Sequence, residues 1–244
     1  MQRLPATRVA YEQEIQHLRD HVVTLASMVD KAIARAIDAL KTQDVQLARE
    51  VRSGDKEINA FRWQAEEHAL VVIATQGPMA GDLRLIAGAL QIYTDLERMG
   101  DHAAGVAKIV IQTADEPLLK PLVDIPRMAD VARSMLKDAI TSFIELDEEE
   151  ARAVAIRDDD IDLLYDQIYR ELLTYMMADP GTINRATRLL WAAHNLERIG
   201  DRVTNICERV AFMTSGEFVS MDGGRKKRQR DKLAASASGT SGLA

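Results

Sequence analysis

One cysteine, Cys207, stands among 244 residues, so no internal disulfide can staple the chain, and a lone thiol suits a reducing compartment. Breakers are scarce as well, with 13 glycines and 6 prolines, and aromatic residues make up only 5%. What fills the chain instead is Ala, Leu, Arg, Glu and Asp, a balance that favours helix over strand. No alternating Val/Ile/Thr run between turn residues demands a sheet. No stretch approaches 18 uninterrupted apolar residues, so none is expected to span a bilayer, and membrane association must go through a partner. The opening Met1-Gln2-Arg3-Leu4-Pro5 lacks the apolar centre of a signal peptide, which points to the cytoplasm. A net charge of −7 argues against nucleic acid as a default partner. The one basic run, Arg225-Lys226-Lys227-Arg228-Gln229-Arg230, reads as solvated tail. Glycine-rich phosphate loops, zinc-ligand spacings and nucleophile elbows are missing too.

Periodicity supplies the architecture. Ile15, Leu18, Val22, Leu25, Val29, Ala32, Ala36 and Leu40 step by three and four, predicting an amphipathic helix over 8–41. A second helix is expected over 44–75, broken by Gly77-Pro78, and a third over 80–114. The proline-rich stretch 116–125 reads as a linker. The pattern then restarts, with a helix over 126–145 carrying Met128, Ala132, Met135, Ala139, Ile140 and Phe143. Asp147 and Glu150 form a capping-box pair opening a helix to 178. Asp179-Pro180 supplies a cap and a first-turn proline for a sixth helix through 213. The expected fold is all-α, two tandem antiparallel three-helix bundles over 8–115 and 126–214, with a disordered basic tail over 215–244.

The chain repeats itself in detail. Leu96-Glu97-Arg98-Met99-Gly100-Asp101 returns 100 positions later as Leu196-Glu197-Arg198-Ile199-Gly200-Asp201. In the second helix of each half, Asp55, Ile58 and Asn59 match Asp158, Ile161 and Asp162 at 103 positions, so the difference in length falls in a turn.

Glu97/Asp101 and Glu197/Asp201 are i, i+4 pairs, about 6 Å apart on one helix face, where like charges repel by a few tenths of a kcal/mol. Asp55/Asn59 and Asp158/Asp162 have the same spacing. The two motif-helix pairs continue an apolar stripe that faces neighbouring helices, and unpaired charges there would cost several kcal/mol each. Convergence of the two helices in each half would offer three or four hard oxygen ligands, suited to iron, manganese or magnesium. Gly100 and Gly200, each mid-helix at a cost of up to about 1 kcal/mol, suggest close helix approach beside the site. Neither motif has His at the third position after Glu, as a ferritin-like di-iron site would want. Cys207 reads as core, and His102 and His194 as surface or helix-end residues. Solvated acids paired with arginine on a module without metal are the plain alternative.

The segments 95–102 and 195–208, with Gln76-Gly77-Pro78-Met79-Ala80-Gly81-Asp82-Leu83-Arg84 and the Asp55 and Asp158 segments, resemble the signature helices of the PhoU family. The resemblance covers about residues 10–214. It implies a cytoplasmic, non-enzymatic, twofold-repeated negative regulator of phosphate-starvation signalling and phosphate uptake. It further implies an adaptor between the ATPase subunit of a phosphate ABC transporter and a sensor histidine kinase, and a homodimer. Some members bind metal clusters through the motifs that fall here on Glu97/Asp101 and Glu197/Asp201. Arg202 replaces the His seen in the first copy, and its place beside Asp201 leads to the expectation that it competes for that carboxylate. The rival from another class is a carboxylate-bridged di-iron ferroxidase or oxidase on a helical bundle.

Overall fold

The computed structural model describes residues 6–221, and among them every regular element is helical. The helices are α1 (Ala6–Thr42), α2 (Val45–Gln76), α3 (Ala80–Gln112), α4 (Asp124–Glu145), α5 (Glu148–Ile156), α6 (Asp158–Ala178) and α7 (Ile183–Ser215). A single 3-10 turn, Pro180–Thr182, leads into α7, with Asp179 capping it by accepting from the Gly181 N–H at 2.8 Å. Gly77 ends α2 in the left-handed conformation (φ 57°), which glycine adopts without a Cβ clash.

The duplication is visible in backbone detail. The α1–α2 joint places Gln43 at φ 53°, and the matching joint after α4 places Leu146 at φ 53°. Asp44 then accepts from the Leu47 N–H at 2.9 Å, and Asp147 from the Glu150 N–H at 3.0 Å. Such caps satisfy otherwise orphaned first-turn amides and are worth about 1 kcal/mol each. The joints repeat at the same 103-position offset as the second-helix acids, so α4 and α5–α6 retrace α1 and α2.

One helix departs from expectation. The segment expected to run unbroken over 147–178 divides at Arg157 into α5 and α6. Asp158, Asp159 and Asp160 occupy the first turn of α6, where carboxylates meet the positive end of the helix dipole. Arg157 is drawn towards α4, donating to Asp138 at 2.5 Å and to Ser134 at 2.8 Å. At the corresponding point of α2 stands Gly54, in open space, and that helix continues.

The two halves join along α3 and α7, whose contacts pair low numbers with high ones and so define an antiparallel pair. An added Cβ at Gly88 would strike Met213, His102 meets Asn195, Asp95 meets Arg202, and Arg188 donates to Gln112. Buried apolar side chains from all seven helices form one continuous core around this pair. Leu18, Ala69, Val72 and Ile86 make a small satellite core at one end of α1, α2 and α3. The linker is not a free spacer: Leu119 and Leu122 pack on the core, and buried Lys120 pairs with Glu171 of α6.

Part of the expected tail is held down. Phe218 stacks on Phe212 at 4.3 Å, and the Met221 N–H donates to Glu208 at 2.8 Å. Residues 222–244, including the basic run, lie outside the described residues. Among the described residues no helix is long and apolar enough to cross a membrane.

Candidate metal centre

The seam between the second helix and the motif helix is close in both halves, and glycine makes it so. A Cβ on Gly100 would lie 3.1 and 3.2 Å from Ile58 and 3.5 Å from the Asp55 carboxylate. A Cβ on Gly200 would lie 2.5 Å from Asp158 Oδ1 and 2.7 Å from Ile161. Missing side chains therefore let the second-helix acids reach the motif helices, as the mid-helix glycines suggested.

In the first half the acids feel one another. Burial raises the Asp55 carboxyl above its ordinary value, and Asp101 raises it further, against the hydrogen bond from Asn59. Burial and then Asp101 raise Glu97, with Arg98 and Arg62 pulling the other way. Asp55 Oδ1 and Glu97 Oε2 are buried oxygens without a hydrogen bond. Arg98 lies 3.7 Å from Glu97 and 3.6 Å from the more exposed Asp101. Asn59, expected as a ligand, directs its amide nitrogen to Asp55, 3.2 Å from Oδ2, and so orients that carboxylate.

The second half uses different neighbours. Arg198 donates to Asp201 at 3.3 Å, repeating the Arg98–Asp101 pairing. Glu197 is only 6% exposed, with His194 Nδ1 3.4 Å from its Oε2. The first-half counterpart of His194 is Thr94. Tyr165 stands where α2 has Arg62, and its phenol is raised by burial and then by Glu197. Asp158 reaches Gly200, and Asp162 lies one turn further along α6.

Arg202, expected as a competitor for Asp201, reaches across the α3–α7 pair to Asp95, 3.3 Å away, where Asn205 also donates at 3.0 Å. The inverted pair, His102 to Asn195 at 3.1 Å, is its twofold counterpart. Asp95 is 8% exposed and burial raises its carboxyl despite both donors. These residues belong to the joint between halves rather than to the acidic seams, and the 107 positions between partners hid them from sequence reasoning. Cys207 is fully buried in the core, as expected, and burial pushes its thiol up to about 12.

As the side chains stand, the acidic seams do not bring three ligand atoms within 4.8 Å of one another. Among the described residues the group that does is Glu14 and His17 of α1 with His68 of α2. Sequence reasoning missed it by following only the acidic pairs that recur in both halves. The available signal was Glu14, His17 and His21, spaced i, i+3 and i+7 along one face.

An all-helical chain folded from two copies of one acidic repeat, fused along their motif helices, is a helical scaffold with paired carboxylate seams. Sequence comparison places it further: the PhoU domain matches residues 22–110 and again 125–210, so the chain belongs to the PhoU family. The phosphate-specific transport system accessory protein PhoU homolog of Aquifex aeolicus is 41% identical over 85% of this chain and 94% of its own length. The corresponding protein of Rhizobium meliloti is 37% identical over 85% and 88%. The crystal structure of PhoU from Pseudomonas aeruginosa superposes with a TM-score of 0.81 at 34% identity, covering 85% of this chain and all of that one. The phosphate transport system regulatory protein PhoU from Streptococcus pneumoniae gives 0.80 at 30% identity, over 86% and 99%. The family is one of regulatory accessory proteins and not of enzymes.

Proposed function

We propose that the chain works in the cytoplasm as an accessory of phosphate transport that restrains phosphate uptake and phosphate-starvation signalling. In this reading it is a homodimeric adaptor between the ATPase subunit of a phosphate ABC transporter and a sensor histidine kinase, and it meets the membrane only through them. Relatives named as phosphate-specific transport accessory proteins over most of its length support the role.

The observation that carries the adaptor's metal dependence is the pair of buried oxygens without hydrogen bonds, Asp55 Oδ1 and Glu97 Oε2, facing a glycine-cleared seam. Burying carboxylate oxygens without hydrogen bonds is costly, Arg98 stands 3.7 Å from Glu97, beyond hydrogen-bond reach, and a hard cation would offset the cost. Asp55, Glu97 and Asp101 would hold it in the first half, and Asp158, Asp162, Glu197 and Asp201 in the second, with Asn59 orienting Asp55. Iron, manganese or magnesium would supply positive charge there, and side-chain rotation would bring the oxygens together. The chain's own residues do the rest: α2 and α6 are fixed against the motif helices, and the neutralised face can dock on a partner. A di-iron oxidase is the weaker reading, because the relatives carry accessory-protein names and the motif helices lack the Glu-x-x-His pattern.

Deleting the gene should switch phosphate-regulated reporters on in phosphate-rich medium, and continued repression would contradict the regulator reading. Co-purification from phosphate-replete cells should recover the transporter ATPase and the kinase. Recovery of neither would remove the adaptor.

A further inference from the structure

We propose that Glu14, His17 and His68 form a binding site for a divalent ion of the zinc class, clamping α1 to α2 in the first half only. Their ligand atoms all lie within 4.8 Å of one another. Glu14 Oε2 is 2.7 Å from His68 Nε2 and 3.8 Å from His17 Nδ1. Tetrahedral zinc with ligands near 2.1 Å requires separations of roughly 3.4 Å, so small side-chain rotations bring all three into range. Two imidazoles and one carboxylate leave a fourth position open, the pattern zinc adopts with bound water. Imidazole also selects zinc, nickel, copper or iron over magnesium and calcium, which separates this site from the all-oxygen seams.

Neighbouring rings hold part of the site in place. His21, one turn beyond His17, packs edge-on against His68 at 5.2 Å and against Phe61 at 5.6 Å, which helps to fix the His68 ring. His17 and Glu14 are exposed enough to admit the ion from solvent, with 60% and 36% of their side-chain surface open.

The other half supplies the control. At the 103-position offset set by the matching joints, His17 and His68 correspond to Lys120 and Glu171. Those two side chains pair directly with each other. The second half therefore closes this seam with its own cation and anion. The first half closes it with Glu14 paired to His68 at 2.7 Å and His17 beside them, a set that can also hold a cation.

Calorimetric titration of the full chain with Zn2+ alone tests the site. The unaltered chain, His17→Gln, His68→Gln and the seam variant Glu97→Ala/Asp101→Ala are compared, with circular dichroism as the check on folding. One equivalent of Zn2+ should bind tenfold or more weakly to each His variant while the seam variant keeps it, the loss expected when a metal's support is removed. Exposed His17 leaves folding intact even where His68→Gln does not. Co2+ in place of Zn2+ should give a visible tetrahedral ligand-field band that His17→Gln abolishes. Identical titrations for the unaltered chain and His17→Gln would overturn the proposal, as would loss of Zn2+ binding in the seam variant alone. Either result leaves the carboxylate seams to be judged by their own metal content.

Discussion

Where the first half sets Glu97 beside Arg62 and Thr94, the second sets Glu197 beside Tyr165 and His194. The backbones match down to the left-handed residues Gln43 and Leu146 and the caps Asp44 and Asp147. Glycine, glutamate and aspartate recur at each motif, yet the side chains around them have been exchanged. The glycines also differ in tightness, since Gly200 is pressed closer by Asp158 and Ile161 than Gly100 is by Asp55 and Ile58. A duplicated scaffold can thus hold two seams on one backbone plan while giving each its own tightness and electrostatics.

Removing the space at each glycine should separate the halves most sharply. Gly200→Ala puts a methyl 2.5 Å from Asp158 Oδ1 and 2.7 Å from Ile161, so both side-chain ends must shift, and after the roughly 1 kcal/mol gain in helix propensity it should cost about 1–2 kcal/mol. Gly100→Ala meets flexible ends of Ile58 above 3 Å, and its roughly 1 kcal/mol gain in helix propensity should leave it near neutral. Urea unfolding measures both, and equal losses would deny that the seams differ. The joint between halves comes next. Arg202→Ala leaves buried Asp95 with the Asn205 hydrogen bond and the charge of Arg209, and should cost about 2 kcal/mol, against about 1 kcal/mol for the counterpart His102→Ala. A larger effect of His102→Ala would reverse the assignment of the stronger contact.

The caps should not distinguish the halves at all. Asp44→Ala and Asp147→Ala should each cost about 1 kcal/mol, and a twofold difference in unfolding free energy would show that the joints are not equivalent. A pH series sharpens the seam comparison. Glu97 and Asp55 have folded values raised above their unfolded ones, so the folded chain holds protons more tightly. Without metal, stability should therefore decline as pH rises from the ordinary carboxylate range through the raised values. Glu97→Gln should flatten that decline, and an unchanged slope would show that its burial is not felt.

Sequence reasoning read local signals well. Periods of three and four bounded α1 to α3, Gly77 stopped α2, and the repeated Gly100 and Gly200 marked the close seams. It failed where partners lie far apart. The break at Arg157 carries no proline or glycine; it arises from Asp138 and Ser134 on α4 together with acids suited to a new helix start. Arg202 was assigned to its neighbour Asp201 because its true partner sits on another helix. His17 and His68 meet only once α1 and α2 pack, so their shared site was invisible along the chain.

Metal content of the full chain, purified without chelator, tests the central claim most directly. The account predicts that Glu97→Ala/Asp101→Ala and Glu197→Ala/Asp201→Ala each lose a distinct share of bound metal, and that combining them leaves no more than the histidine-held ion. Equal metal in all these chains would contradict it.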